Sequence, residues 1–203
     1  MCGIAGFISL NQPIEHNRSY IDKALQRLEN RGPDANGVFR NSKVELGHTR
    51  LSIIDTSSNA NQPMTDESGK YTLVFNGEIY NYKNLKEDLK KKGVNFKTES
   101  DTEVLLYGFI KEGKNFLNKL NGFFACCFYD SVSNKSILAR DRFGIKPLYY
   151  FQNSSKFIFG SELKALLCYP IEKTIDNDAL NQYFRFNYIP APQTIFKTCK
   201  KYH

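Results

Sequence analysis

The first residues of the chain form an unbroken run of apolar and small side chains, which predicts a buried β-strand over Ile4–Leu10. Apolar residues then recur at the spacing of a helix, which predicts an amphipathic helix over residues 19–30, with Ile21, Ala24, Leu25 and Leu28 on its inner face. Arg31-Gly32-Pro33-Asp34 ends this helix, because glycine and proline mark turns.

The middle of the chain alternates between the two patterns. Val44–Thr49 and Tyr71–Phe75 are predicted strands, and the second is expected to stop at Asn76-Gly77, a strong turn signal. A helix is predicted over Asn81–Lys92, with Gly93 as its C-terminal stop. Another opens at Ser100, where a glutamate three residues later completes a capping-box pattern, and closes at Gly113.

The last third predicts closely spaced strands followed by short helices. The strands are expected at Phe123–Asp130, Ser136–Ala139, Leu148–Phe151 and Lys156–Phe159, and the helices at Ser161–Leu167 and Asp176–Phe184. Short connections imply antiparallel pairing, because parallel neighbours need a crossover. The pattern as a whole is α+β, with antiparallel sheets covered by helices.

Composition supports one full domain. The 203 residues are 41% hydrophobic and 14% aromatic, enough to form a core. No apolar run is long enough for a transmembrane helix, and no secretory signal is visible, so we expect a cytoplasmic protein without membrane partners.

Charge and cysteine spacing narrow the function classes. The net charge of +7 is diffuse, and no aromatic-basic ladder accompanies it, so a solvated surface is favoured over nucleic-acid binding. Five cysteines without a C-x-x-C pair indicate neither a zinc site nor a disulfide framework, and no metal site is predicted. Cys126 and Cys127 are interpreted as packing residues on opposite faces of a buried strand.

Cys2 is the residue around which a chemical hypothesis forms. Because residue 2 is small, Met1 is expected to be removed, which leaves Cys2 with a free α-amine. The thiol has an ordinary pKa of about 8.5 and the amine one of about 7.7–8.0, so one residue can supply both nucleophile and base. The competing interpretation is that Cys2 is only a small buried hydrophobe.

An acyl-transfer nucleophile needs three further groups. Asn76 and Gly77 offer an amide and an unhindered N–H as an oxyanion site. Arg50 can hold a carboxylate through two parallel hydrogen bonds. Asp101 or Glu78 can pair with a cationic group. Taken singly, each of these residues also has an ordinary structural explanation.

Together they resemble a known family, the class II glutamine amidotransferases, and most closely the glutamine-hydrolysing asparagine synthases. The resemblance spans nearly the whole chain in order. It is carried by Met1–Gly6, Arg31–Asp34, Gly47–Asp55, Gln62–Met64, Asn76–Asn81, Ser100–Glu103, Ala139–Tyr150, Ser161–Leu166 and Tyr188–Pro192.

The resemblance implies a role for each matching residue. Cys2 would be the N-terminal nucleophile, and Asn76 with the N–H of Gly77 the oxyanion hole. Arg50 would hold the glutamine α-carboxylate, and Asp101 and Glu78 its α-ammonium. The backbone of Leu51, Ser52, Ile53 and Ile54 would line the pocket, with Arg31 to Asp34 at its border. The implied fold is the N-terminal-nucleophile hydrolase sandwich, four αββα layers with two antiparallel sheets.

The resemblance also implies a division of the chain and a partner. Residues 1–186 would be the glutaminase domain and residues 187–203 the start of a linker. Asparagine synthases continue into a synthetase domain with a Ser-Gly-Gly-x-Asp-Ser loop, which has no match in these 203 residues. The sequence is therefore expected to be a fragment or a separate subunit that needs no cofactor itself, while ATP and magnesium belong to the synthetase.

Two alternative functions stay open besides nucleic-acid binding, which the diffuse charge disfavours. The same glutaminase half could serve another acceptor, such as a sugar carboxylate, or the domain could be a catalytically silent regulator. The oligomeric state is also open, with a homodimer among the options.

Overall fold

The computed structural model describes residues 1–14 and 20–202, and it contains two antiparallel sheets packed between helices. The strands are β1 Gly3–Ser9, β2 Ala35–Arg40, β3 Val44–Arg50, β4 Met64–Thr65, β5 Tyr71–Ile79, β6 Gly122–Asp130, β7 Lys135–Arg140, β8 Tyr149–Gln152, β9 Lys156–Gly160 and β10 Cys199–Lys201. The α-helices are α1 Tyr20–Leu28, α2 Tyr82–Lys91, α3 Asp101–Glu112, α4 Leu163–Leu166 and α5 Asn177–Phe186.

One sheet has the strand order β10-β8-β9-β1-β3-β2 and the other the order β4-β5-β6-β7. Their facing surfaces share an apolar core that includes Ile4, Leu46, Val74, Cys127 and Phe159. Successive residues of a strand point to opposite faces, so Ile4 faces the other sheet while Ala5 faces the helices. Burial of both faces explains why the first strand is continuously apolar.

Helices cover the two outer faces. In α1, Ile21, Ala24, Leu25 and Leu28 are buried against the larger sheet, as the helical spacing predicts. Helices α2 and α3 cover the smaller sheet through residues such as Leu85, Leu89 and Leu105. Each such side chain contributes about 1.5–3 kcal/mol on burial. The predicted α+β sandwich is confirmed.

Most predicted elements are present within one to three residues of their expected bounds. Ser19, at the predicted start of the first helix, lies outside the described residues. Gly93 and Gly113 follow α2 and α3 with φ of +79° and +58°, where glycine avoids the steric cost of a side chain. Strands β2, β4 and β10 were not predicted. β4 and β10 are short, and β2 contains polar residues and a glycine. β2 and β4 each pair with the next strand across a turn, whereas β10 pairs with β8, which is distant in sequence.

The predicted turn at Asn76-Gly77 is wrong. Strand β5 continues to Ile79, because its ladder with β6 runs on through the pairs Asn76–Ala125, Gly77–Phe124 and Glu78–Phe123. Glycine is required here for packing: a Cβ on Gly77 would lie 2.3 Å from the carbonyl oxygen of Phe123. A tertiary partner has overridden a local turn preference.

The packing role of the paired cysteines is confirmed. Cys126 faces the helix-side core, Cys127 faces the inter-sheet core, and both are fully buried. Within residues 1–14 and 20–202, no helix combines the length and apolar character needed to cross a bilayer.

Candidate active site

A cleft opens where β1, β3 and β5 meet the start of α3. It is lined by nine of the ten residues predicted for the site, namely Cys2, Arg50, Leu51, Ile53, Ile54, Asn76, Gly77, Glu78 and Asp101. Ser52 is the exception: its backbone N–H donates to the Asp34 carboxylate at 2.8 Å, beside the cleft. The fold therefore brings together residues that are up to 99 positions apart in the sequence.

Cys2 lies immediately before β1, beside the end of β3. The backbone N–H of Leu51 donates to its Sγ at 3.3 Å, and the Sγ is 3.5 Å from the Leu51 carbonyl oxygen. Arg31 Nε donates to the Cys2 carbonyl at 2.9 Å and so fixes the backbone. Burial raises the pKa of the Cys2 thiol, while the Leu51 N–H and the charges of the N-terminus, Arg50 and Lys146 act in the opposite direction.

The other thiols lie outside this cleft. Burial raises the pKa of Cys126 to about 12 and that of Cys127 further still. Cys168 is partly exposed but belongs to the helix side of the larger sheet. Cys2 is the cysteine whose Sγ has both a hydrogen-bond donor and nearby cations in the cleft.

Asn76 supplies an unpartnered amide. It is 1% exposed, and among the described residues its Nδ2 has no hydrogen-bond acceptor. Buried amides are nearly always satisfied, so an orphan that lines a cleft calls for an explanation. A ligand oxygen is the group it lacks.

The N–H of Gly77 is also directed away from its sheet partner. Phe124 uses its own N–H and C=O on Asp141, so the Gly77–Phe124 pair is of the type without mutual hydrogen bonds. Gly77 therefore points its N–H to the other side of β5, where the pairing with β4 covers only Thr72 and Leu73. Phe75 and Ile79, two residues before and after Gly77, point their N–H groups to this same side. The Phe75 N–H donates to the Gln62 side chain and the Ile79 N–H to the Asp101 carboxylate.

Arg50 divides its guanidinium between the protein and the cleft. Nη1 donates to the Ser57 carbonyl at 2.7 Å and to Asn61 Oδ1 at 2.6 Å, and Nη2 donates to the Asp55 carbonyl. Within the described part of the chain, Nε has no acceptor and Nη2 has a second hydrogen to offer. Arg50 thus keeps guanidinium donors for a ligand carboxylate.

Asp101, the first residue of α3, is 5% exposed, and its Oδ2 accepts from Ile79 N at 3.0 Å. Burial raises its pKa to about 6, with a further rise from the Glu78 carboxylate, while the N–H groups of Ile79 and Thr102 lower it. Two carboxyl groups in one cleft create a negative field for a cationic ligand group.

Further hydrogen bonds and an ion pair join the residues around these groups. Ser100 Oγ accepts from Glu103 N at 3.2 Å and caps α3 as predicted. The Glu103 carboxylate does not complete the capping box; it accepts from Thr98 N at 2.7 Å, because Ser100 N donates to Thr98 Oγ1. Arg31, which contacts the backbone of Cys2, also pairs with Glu162 at 2.9 Å.

The cleft is also lined by residues for which the sequence predicted no role, among them Lys146, Asp55 and Gln62. Gln62 accepts from Phe75 N at 2.6 Å and donates to Thr102 Oγ1 at 3.3 Å, which joins β5 to α3. Asp55 and Gln62 each lie in a quoted motif, but only the folded chain shows what they bind.

Within residues 1–14 and 20–202, no group of three or more His, Cys, Asp or Glu side chains is placed to hold a metal ion. The expectation that this domain needs no cofactor stays a prediction.

The family model and the similar sequences agree with each other. The family model for the glutamine amidotransferase domain matches residues 1–203. Asparagine synthetase [glutamine-hydrolyzing] 3 of Bacillus subtilis is 37% identical, over 99% of this chain and 33% of its own length. Asparagine synthetase [glutamine-hydrolyzing] 1 of the same organism is 40% identical, over 99% and 32%. The chain thus spans about a third of the length of these relatives.

A solved structure has a similar fold. The glutamine phosphoribosylpyrophosphate amidotransferase from B. subtilis, complexed with ADP and GMP, superposes with a TM-score of 0.68 and 24% identity. The match covers 82% of this chain and 43% of that one. At this identity the similarity concerns the fold alone, two antiparallel sheets packed between helices.

Proposed function

The chain belongs to the glutamine amidotransferase domain family, and on that premise we propose that it hydrolyses L-glutamine to L-glutamate and ammonia through a thioester on Cys2. One observation carries the proposal: the Cys2 thiol shares a cleft with an unpartnered buried amide, that of Asn76. A nucleophile beside an unused hydrogen-bond donor is the arrangement that acyl transfer requires.

Glutamine fits the remaining groups end to end. Its α-carboxylate would bind the remaining guanidinium donors of Arg50, and its α-ammonium would lie between Asp101 and Glu78. The side-chain amide would then reach Cys2. Both charged ends are recognised by groups that are already held in place, so little ordering is needed on binding.

The first half of the reaction forms the thioester. With Met1 removed, the α-amine of Cys2 accepts the thiol proton, and the sulfur attacks the amide carbon. The oxygen gains negative charge and accepts hydrogen bonds from Asn76 Nδ2 and the Gly77 N–H. The tetrahedral species collapses when the carbon–nitrogen bond breaks, and the α-ammonium returns its proton to the leaving ammonia.

The second half reverses the roles. The neutral α-amine takes a proton from water, the hydroxyl oxygen attacks the thioester carbon, and the same two donors stabilise the second oxyanion. The carbon–sulfur bond then breaks, the thiol recovers its proton, and glutamate leaves. No step requires a group from outside the chain except water.

We further propose that the ammonia serves a synthetase domain or subunit that amidates aspartate to asparagine in the cytoplasm. Support comes from the relatives, which are asparagine synthetases about three times as long as this chain. ATP and magnesium would act on that second unit. A sugar carboxylate remains the alternative acceptor. Sequence beyond residue 203 with a Ser-Gly-Gly-x-Asp-Ser loop would support an attached synthetase domain for either acceptor, and an ATP-dependent amidation assay with aspartate and with a sugar acid would separate the two.

A diazoketone analogue of glutamine tests the central assignment, because a thiolate alkylates it with loss of dinitrogen. Intact-mass and peptide analysis should show one adduct, on Cys2, that Cys2→Ala abolishes. Cys168→Ala removes the other partly exposed thiol and should leave both adduct and glutaminase activity unchanged. A mature protein with a free Cys2 amine that neither reacts nor hydrolyses glutamine would instead be a silent domain.

A further inference from the structure

Lys146 is a buried cation without a carboxylate partner. It is 6% exposed, and in the described part of the chain its ammonium contacts only Met1 Sδ, at 3.1 Å, and the ring of Phe123, with 4.4 Å to the centroid. Lys86 is equally buried, yet its ammonium donates to the Thr98 carbonyl at 2.7 Å and pairs with Glu99 at 2.9 Å. Buried lysines are normally paired, and Lys146 is not.

The fold holds Lys146 in this position. Its N–H donates to Asp141 at 3.0 Å, and its carbonyl accepts from Arg140 Nε at 2.5 Å. Asp141 also accepts from the N–H groups of Phe143 and Ile145, and Gly144 adopts φ +62° in the same loop. The loop between β7 and β8 is therefore built to present the lysine to the cleft.

We propose that the Lys146 ammonium keeps the α-amine of Cys2 neutral and able to accept a proton once Met1 has been removed. The inference rests on the proposed function, in which that amine is the base. Lys146 would act on the reaction indirectly: its charge would change the protonation of the Cys2 amine, and it would make no bond to glutamine.

Covalent geometry supports the proximity. Met1 Sδ is five bonds from the Cys2 nitrogen, so the Lys146 ammonium lies within about 9 Å of that nitrogen. Removal of Met1 takes away the sulfur contact and leaves an amine that would become a second cation when protonated. Cys2 is partly buried, and for a pair near the surface, with an effective dielectric constant of about 20, repulsion across that distance lowers the pKa of the amine by about one.

The surrounding charges leave this effect in place. Arg31, from the turn after α1, is paired with Glu162, and Arg50 at the end of β3 adds further positive charge. Asp141 is engaged by four backbone N–H groups. Glu78 and Asp101 are negative, but bound glutamine would place its ammonium against them. Burial lowers the pKa of Lys146 and Glu78 opposes this.

The test uses mature protein without Met1 and three variants. Lys146→Met keeps the length and the contact with Phe123 but removes the charge, while Lys146→Arg keeps the charge. Lys164→Met is the matched control, since it removes a partly exposed lysine that pairs with Glu162 outside the cleft. Competitive acetylation of the α-amine across pH, read by mass spectrometry, gives its titration midpoint without any need for activity.

Lys146→Met should raise that midpoint, and the acid limb of kcat/KM for glutamine, by about one pH unit. Lys146→Arg and Lys164→Met should leave both where they are. An acetylation midpoint that does not move in Lys146→Met overturns the inference, whether or not glutamine is hydrolysed. A shifted midpoint in a protein that never hydrolyses glutamine contradicts the proposed function instead.

Thermal denaturation separates a structural role. Loss of an unpaired buried cation should leave the Tm of Lys146→Met at or above that of the parent. A lower Tm together with an unchanged acetylation midpoint would show that Lys146 only packs against Phe123, and would overturn the inference.

Discussion

The Asp55 carboxylate accepts a hydrogen bond at 3.1 Å from the backbone N–H of Glu99. This bond joins the loop whose carbonyls hold Arg50 to the segment that leads into Asp101. The groups proposed to bind the two charged ends of glutamine are thus fixed relative to each other through Asp55.

Asp55→Ala should therefore raise KM for glutamine about five- to tenfold with little change in kcat, since a hydrogen bond to a charged group contributes about 1.5–3 kcal/mol at most. Glu99→Pro removes the same N–H and should have a similar effect, while Glu99→Ala keeps it. Steady-state kinetics on the single and double variants would test the coupling. Asp66→Ala, which disrupts an exposed turn elsewhere, is the control. If the two changes act on one bond, Asp55→Ala/Glu99→Pro should raise KM no more than either single variant does. A loss of binding free energy in the double variant equal to the sum of the two single losses would contradict a shared bond.

Substrate binding should depend on the protonation of Asp101. Burial raises its pKa to about 6, and only the carboxylate attracts the glutamine ammonium. KM should rise as the pH falls below about 6, whereas Asp101→Asn should show a high KM without that dependence. A flat KM between pH 5 and 7 in the parent would rule out the role.

The same pKa affects stability. The folded state holds the Asp101 proton up to about pH 6 and the unfolded state only to about 4, so this group's contribution to stability is lost as the pH rises through that window. Asp101→Asn should be more stable than the parent at pH 7, measured by urea unfolding. That gain should shrink at pH 4.

Asn76 should act on the chemical step. Asn76→Ala is expected to lower kcat by roughly 10²–10³, the cost of one oxyanion donor, without weakening glutamine binding to a Cys2→Ala protein. Stability should change little because Nδ2 has no partner to lose among the described residues. Asn81 is a useful contrast: its side chain bonds Lys119 and Asn121, so Asn81→Ala should lower Tm and spare kcat. Near-normal kcat in Asn76→Asp would refute the oxyanion role.

His48 should make the protein sensitive to acid. Its Nε2 lies 3.2 Å from the Phe75 carbonyl and links the two sheets, while burial lowers its pKa to about 3. The unfolded state takes up a proton near pH 6.5 and the folded state does not, so stability is lost as the pH falls below 6.5. Between pH 6.5 and 5 the loss amounts to about 1.6 kcal/mol. The free energy of unfolding in urea, plotted against pH between 5 and 6.5, should have a smaller slope in His48→Gln than in the parent. The same slope in both proteins would contradict this assignment.

Local patterns in the sequence determined most of the elements, and the family resemblance determined which residues were expected in the cleft. The helical spacing of Ile21 to Leu28 and the apolar run of the first strand show which faces are buried, because buried positions are occupied by apolar residues. Glycines after α2 and α3 mark helix ends because few other residues adopt positive φ. The resemblance to the amidotransferases, carried by motifs in order, named nine residues that line one cleft.

Only the tertiary structure decided what those residues contact. Asn76-Gly77 has the local signature of a turn, but hydrogen bonds to β6, about fifty residues later, keep it extended and turn the Gly77 N–H toward the free side of β5. The unpartnered ammonium of Lys146 and the bond from Glu99 to Asp55 likewise depend on segments that are distant in sequence. Local preferences differ by only about 1 kcal/mol per residue, so pairing and burial between distant segments outweigh them wherever the two conflict.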